Sequence, residues 1–399
     1  MKRIVISTFG SFGDIHPYIA IALELRARGH EPVFATSESY REKMDALGLE
    51  LRPLRPVMPS PDQPDEIGRM VEQLMGQRDG TENIFKQILM PHIRDTYEDL
   101  DAAAADADLL LTHPLPLTGP IVAQRRKLPW VSSVLAPISF FSAYDPPVPA
   151  PMPALHKLLQ LSPAFTRLFL RLANPRVDKL IAPVYQLRAE LGMPRGASPL
   201  FAGQHSPTLV LALFSKVLAE PQPDWPAHTR VTGFPFYDRR DFYAERETPR
   251  ELLQFLDAGP PPVIFTLGSS AIWVAKDFYR DSIAAARALG RRALLLIGHE
   301  RNKLSEPLPE GIAAFEYAPY SEVLPRACAI VHQGGVGTTG QSLRAGRPAL
   351  VVPHAHDQFD NAARVARLGC ARVLPRPKYN AQNATRELSR LLDEPSYAT

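Results

Sequence analysis

The densest set of groups able to hold a charged ligand is Ile330-Val331-His332-Gln333-Gly334-Gly335-Val336-Gly337-Thr338-Thr339-Gly340-Gln341. An apolar run passes into small residues and then into a helical pattern, so the turn leaves its backbone N–H groups uncovered. The positive end of a helix dipole lies behind them, and together they suit a diphosphate. His332 and the hydroxyls of Thr338 and Thr339 add donors. No Lys-Ser or Lys-Thr follows a G-x-x-x-x-G spacing, which excludes a Walker-type loop. A second Gly-rich turn, Phe9-Gly10-Ser11-Phe12-Gly13-Asp14-Ile15-His16-Pro17, follows the first apolar run and sets Asp14 at a helix start. A carboxylate there serves either as a general base or as a helix N-cap. Of a dinucleotide fingerprint only Gly10 and Gly13 are present, with Glu38 a weak substitute for its ribose-binding acid, so no nicotinamide cofactor is expected.

Val351-Val352-Pro353-His354-Ala355-His356-Asp357-Gln358 ends another apolar run in polar groups. His354 and His356 lie two apart on an extended segment and point to opposite sides, and no third ligand stands at zinc spacing, so no metal is expected. Asp357 and Gln358 instead offer acceptors and donors suited to sugar hydroxyls. Asp99-Leu100-Asp101 and Asp106-Ala107-Asp108 match a D-x-D spacing that chelates metal-diphosphates elsewhere. The first pair sits in a helical pattern where i and i+2 do not face each other, and the second precedes its strand, so both are read as solvated. Cys328 and Cys370 sit in apolar surroundings and read as core residues.

These turns need strands and helices to hold them. Arg3 to Thr8 reads as a strand, then Ile15, Ile19, Ala22, Leu23 and Ala27 recur at helical spacing up to Gly29, and Pro32 to Thr36 resumes a strand. Further strands are expected at 108–112, 130–135, 208–214, 262–268, 293–297, 330–332 and 349–352, with helices from Gly337 and Asp360. This alternation predicts an α/β chain with two successive parallel-sheet halves. The boundaries expected are an N-terminal domain over residues 1–236, a charged and Pro-rich linker over 237–260, and a C-terminal domain over 261–399.

At 399 residues the chain is long enough for two cores. The 45 Lys and Arg against 42 Asp and Glu leave a formal charge of +3, too little to support nucleic-acid binding. Two cysteines exclude a disulfide scaffold and fit a reducing compartment, so a cytoplasmic location is expected. The N-terminus goes directly into a strand-length apolar run, and no stretch approaches the length of a membrane span.

Taken together, the turn at His332, the pair Asp357-Gln358, and the Gly-rich turn at Asp14 resemble the UDP-glycosyltransferase superfamily (glycosyltransferase family 1), in the bacterial branch of rhamnosyl-, antibiotic and sterol glycosyltransferases. The resemblance covers almost the whole chain and is most specific from Glu316 to Asn361. It implies the GT-B fold, two Rossmann-like doubly wound domains facing a cleft, with acceptor bound by the first and nucleotide sugar by the second. Carried over, Tyr317-Ala318-Pro319 takes the place where an aromatic residue stacks on the base and a backbone group reads its edge. His332, Gly334, Gly335, Gly337, Thr338 and Thr339 fall at the diphosphate, with Ser269 as a further phosphate contact. Gln341 falls at the ribose, and Asp357 and Gln358 at the donor sugar. Asp14 falls where relatives carry a catalytic His or Asp, which selects the base over the cap, with His16 as the substitute. Tyr317 and Gln341 replace the commoner Trp and Glu, leaving UDP against dTDP open. Relatives usually carry a further helix beyond the point where this chain stops, so a truncated end is expected.

The implied reaction is an inverting, metal-independent hexosyl transfer from a UDP- or dTDP-sugar, with no other cofactor. The acceptor is a small lipophilic molecule of phenolic, polyketide, sterol or glycolipid type. A sugar-nucleotide epimerase and a non-catalytic nucleotide-sugar binder are the alternatives, and acceptor-dependent nucleotide release separates them. Gly13, Phe140, Phe141 and Phe165 are assigned to the acceptor pocket. The stretch Ala154 to Leu180 combines apolar residues at helical spacing with six basic residues and one acid, Asp178. Core packing is its first reading, an acceptor wall its second, and a weak peripheral membrane contact its third. A monomer or weak dimer is expected.

Overall fold

Thirteen short strands carry the described part of the chain, each paired in parallel with its neighbours. The computed structural model describes residues 1–59, 63–237, 248–304 and 307–397. They divide into two units. The first comprises 1–67 with 78–237, and the second comprises 68–77 with 238–399.

In the first unit the strands are β1 (Arg3–Ser7), β2 (Glu31–Thr36), β3 (Glu50–Pro53), β4 (Leu109–Thr112), β5 (Trp130–Val134), β6 (Val210–Ala212) and β7 (Thr229–Val231). Their order in the sheet is β3-β2-β1-β4-β5-β6-β7. The order reverses between β1 and β4, which pair with Ile6 opposite Leu111 and Ser7 opposite Thr112. Val5, Ile6, Phe34 and Leu110 are fully enclosed because helices cover both sheet faces, as the continuous apolar runs require.

The second unit holds β8 (Val263–Thr266), β9 (Ala293–Leu296), β10 (Ile312–Phe315), β11 (Ala329–His332), β12 (Ala349–Val351) and β13 (Ala371–Val373). The order is β10-β9-β8-β11-β12-β13, again reversing beside the first strand of the unit. Val263, Phe265, Leu295, Val331 and Leu350 pack with Leu388 and Leu391 of the helix Ala381–Asp393 into one core. Both sheets are therefore doubly wound, and both open a crevice where the order reverses.

Of the linker expected at 237–260, residues 238–247 lie outside the described residues. The later part forms the helix Arg250–Asp257, whose Leu252 and Leu256 are buried with Ile264 and Leu294. The helix Pro64–Leu74 begins in the first unit and ends in the second, where Val71 and Met75 join the β8–β9 core. Gly68 lets the Arg301 guanidinium lie close, since a Cβ there would be 2.5 Å from it.

Core packing accounts for only part of the stretch 154–180: Leu159 is buried, and Val177 and Leu180 pack against the first unit's core. Its helix Pro163–Leu180 buries only Thr166 fully, and Leu158, Leu161, Phe165, Leu168 and Leu172 are exposed. Among the described residues no facing layer covers its outer stripe, which periodicity alone does not reveal.

Because Met75 fills the second unit's core, Met75→Ala should lower stability by about 2–5 kcal/mol in urea unfolding. A shift below about 0.5 kcal/mol would show that residues 68–77 do not hold to that core.

Candidate active site

Asp14 is built into a capping box. Ser11 is the N-cap of the helix Phe12–Ala27, and its N–H and Oγ donate to Asp14 Oδ2 at 2.8 and 3.2 Å. Asp14 is thus the third helical residue reaching back, and the cap itself is Ser11. Gly10 makes the geometry available: its φ is +131°, and a Cβ there would lie 2.3 Å from Asp14 Oδ2. Tyr40 fixes the turn from behind by donating to the Gly10 carbonyl at 2.7 Å. At Gly13 an added Cβ would meet only Ser11 Oγ, at 3.6 Å.

The other oxygen of Asp14 faces a residue that sequence reasoning passed over. His113 directly follows β4, and its Nε2 lies 3.8 Å from Asp14 Oδ1. The ring is buried, edge-on to Tyr18. Leu115 presents its carbonyl at 2.9 Å and its N–H at 3.1 Å to His113 Nδ1, so either neutral tautomer finds a partner. Burial lowers its pKa, opposed by Asp14 and the Leu115 carbonyl. A signal was available: in a doubly wound sheet the strand at 108–112 lies beside the first, and a His closing it meets the first Gly-rich turn. His16, the substitute base, is turned away. Its Nε2 lies 3.1 Å from Lys43 Nζ, its ring packs on Phe12 and Tyr237, and burial lowers its pKa well below the ordinary value.

In the second unit the predicted donor residues gather at the carboxyl ends of β8, β11 and β12, neighbouring strands in register. His332 ends β11 and is buried, and its Nδ1 accepts from the Gly334 N–H at 3.1 Å. Burial pushes its pKa down to about 4, so near neutrality the ring is uncharged and carries its proton on Nε2 as a donor. Gly334 has φ +90°, and a Cβ there would meet Val351 Cγ1 at 2.9 Å and the Gln358 carbonyl at 3.0 Å. Gly335 caps the helix Val336–Ala345, whose first amides have no acceptor within the helix. Beside Gly337 no atom lies within 4 Å of a built Cβ, so the backbone is open to close approach. Gln333 joins this turn to the one after β8, donating toward Thr338 Oγ1 at 3.4 Å and lying against Gly268, next to Ser269.

Asn361 donates to the Gly334 carbonyl at 2.9 Å and to Asp357 Oδ2 at 2.7 Å, tying the sugar-type pair to the phosphate-type turn. Gln358 Oε1 accepts the N–H groups of His354 and Ala355 at 2.8 and 3.2 Å, so its oxygen is committed inward. Three buried polar atoms around this turn have no hydrogen-bond partner: Thr339 Oγ1, Gln333 Oε1 and Asn361 Oδ1. Folded chains rarely leave such atoms orphaned, so these three are available to a bound ligand. Tyr317 and Ala318 follow β10, separated from β8 by β9, with Tyr317 half exposed and Ala318 buried; Gln341 lies on the helix Val336–Ala345. Tyr320, just beyond, shares a 2.8 Å hydrogen bond with Thr266 at the end of β8.

The acceptor-side aromatics separate. Phe140 is a buried core ring, its centroid 4.2 Å from that of Trp225 in a stacked pair, so truncating it would open a cavity. Phe141 has φ +47° and packs edge-on against Phe201, while Phe165 is exposed. The D-x-D carboxylates are ion-paired rather than merely solvated. Asp99 binds Arg55, Asp101 binds Arg126, Asp106 binds Arg52 and Asp108 binds Lys2. Glu38 is likewise paired with Arg41. His354 Nδ1–H donates to the Val352 carbonyl at 2.8 Å, and among the described residues no three His, Cys, Asp or Glu side chains converge as metal ligands.

Comparison with known proteins shows the family and the fold. Residues 4–98 match the glycosyltransferase family 28 N-terminal domain, and 283–399 match the erythromycin biosynthesis protein CIII-like C-terminal domain. A glycosyltransferase of kitacinnamycin superposes with a TM-score of 0.69 at 22% identity, covering 100% of this chain and 92% of that one. The glycosyltransferase VinC, solved with dTDP, gives 0.65 at 20% identity, covering 99% and 92%. The fold is therefore GT-B. O-mycaminosyltylonolide 6-deoxyallosyltransferase of Streptomyces fradiae is 31% identical over 99% of this chain and 91% of its own length. The chain belongs to the same family, the UDP-glycosyltransferase superfamily, and is a glycosyltransferase.

His332, His354 and His205 are each held by burial at a pKa of about 4, against 6.5 in an unfolded chain. Between those values the unfolded state binds more protons, so stability is lost as pH falls from 6.5 toward 4. The loss reaches about 1.4 kcal/mol per pH unit for each histidine. Urea midpoints at about pH 7 and pH 5 should differ accordingly, and His354→Gln should flatten the slope; equal midpoints would contradict it.

Proposed function

We propose that the chain is an inverting, metal-independent glycosyltransferase that moves a hexose from a UDP- or dTDP-sugar to a hydroxyl of a small lipophilic acceptor. The observation that carries this is the immobilised carboxylate of Asp14, at the point where the first sheet reverses, in a chain whose second sheet holds a phosphate-type turn at its own reversal. As the acceptor oxygen bonds to the anomeric carbon, the bond from that carbon to the diphosphate breaks and the hydroxyl proton passes to Asp14. One displacement inverts the anomeric centre. Charge developing on the diphosphate is met by the amides at the start of the helix Val336–Ala345, by His332 Nε2–H and by the threonine hydroxyls. Asp357 and the neighbouring amide of Gln358 face the sugar hydroxyls. VinC's dTDP and the 6-deoxyallosyl group of the Streptomyces relative support a dTDP-deoxyhexose donor and a natural-product acceptor.

His113 positions Asp14. With its proton on Nε2, 3.8 Å from Oδ1, it directs positive potential at a carboxylate that Ser11 holds by hydrogen bonds on its other oxygen.

Asp14→Asn preserves shape and removes the base, so kcat should fall by about 100-fold or more while donor KM changes little. His113→Asn should lower kcat by a smaller factor, about tenfold, again without moving donor KM. Near-native turnover by Asp14→Asn would overturn the assignment.

His332→Ala should raise donor KM and lower kcat together, costing about 10- to 100-fold in kcat/KM, the weight of a hydrogen bond to a charged group. EDTA should leave turnover unchanged. Activity lost in EDTA and restored by magnesium or manganese would overturn the metal-independent mechanism.

A further inference from the structure

The exposed side of residues 158–179 is ordered along the helix. Phe165, Leu168 and Leu172 recur at intervals of three and four, and Leu161, just before the N-cap Ser162, extends the same line. Leu161 and Leu172 are 73% and 70% exposed, values an aliphatic side chain rarely shows in a line of this length. The stripe ends in Arg176 and Lys179, and Arg167 and Arg171 run beside it, all exposed. Tyr144, itself exposed, stacks against the Arg167 guanidinium and accepts its hydrogen bond at 2.9 Å. The helix's single acid, Asp178, is bound by Arg195 at 2.8 Å and by the Tyr185 hydroxyl at 2.6 Å, so its charge is offset locally.

An exposed apolar line, a flanking row of cations and an aromatic at the boundary are the components of a helix that lies in a membrane interface. No helix among the described residues is long and apolar enough to cross a membrane. We propose that the helix Pro163–Leu180 docks this protein on an anionic lipid surface, with the apolar line in the acyl boundary and the arginines at the headgroups. The cationic row favours that occupant over a second copy of the chain, whose identical row would face it with like charge. The docking rests on this surface alone; its use, taking a lipophilic acceptor from the bilayer, rests on the reading under Proposed function.

The test is co-sedimentation of the full chain with phosphatidylcholine vesicles, with and without phosphatidylglycerol, at low and raised salt. Binding is expected to the phosphatidylglycerol vesicles only, and to weaken with salt. Leu161→Glu with Leu172→Glu, and separately Arg171→Glu with Arg176→Glu, should each lower partitioning by about tenfold or more. Thermal midpoints of both should match the wild type, because these side chains are exposed. Absence of binding by the wild type, or binding by either double variant equal to that of the wild type, would overturn the proposal. A dimer in light scattering that the leucine variant dissociates would assign the stripe to a second copy instead. Turnover of a water-soluble acceptor, measured on the same wild-type preparation, tests the enzymatic reading separately from the docking.

Discussion

A parallel strand that must be covered on both faces by helices can present chemistry only at its carboxyl end, and there only where the following connections leave on opposite sides. That constraint acts twice in this chain. Between β1 and β4 it opens the place filled by Asp14 and His113; between β8 and β11 it opens the place framed by Ser269, Gln333 and the amides after Gly335. Nothing about the individual side chains would bring residues 14 and 113 together without the strand order.

The constraint also explains the glycines that matter. At a strand end the backbone must reverse within two or three residues while leaving its amides uncovered, and neighbouring turns then crowd it. Gly10 and Gly334 each adopt a φ disfavoured for other residues, and each has a neighbour where a Cβ would go. At Gly10 the crowding group is the Asp14 carboxylate itself, so the same contact that excludes a side chain positions the base.

How much of this was legible in the sequence follows from burial. Strands β1, β2, β4, β5, β6, β8, β9, β11 and β12 are enclosed and read as apolar runs. The four that were not anticipated, β3, β7, β10 and β13, are the edges of the two sheets, where one side faces solvent and the residues are mixed, as in Thr229-Arg230-Val231. The turns at residues 10–14 and 332–339 were legible because small and polar residues interrupt apolar runs abruptly. His113 was not, since a single His after a strand carries no local signal; its meaning depends on a pairing more than a hundred residues distant in the chain. Phe140, assigned to the acceptor pocket, stacks on Trp225 in the core, and the helix Pro163–Leu180 places Val177 and Leu180 against the core but leaves Phe165, Leu168 and Leu172 exposed. Periodicity shows that a face exists and not what covers it.

The helix Pro64–Leu74 has a consequence for recombination. The chain passes between units at 67/68, at 77/78 and at 237/238, so the gene for the second unit is not contiguous. A chimera joined near residue 237, the natural-looking seam, would pair one parent's β8–β9 core with the other parent's Val71 and Met75. Hybrids that exchange donor specificity between relatives should therefore carry residues 68–77 along with the C-terminal half, as a second, short cassette.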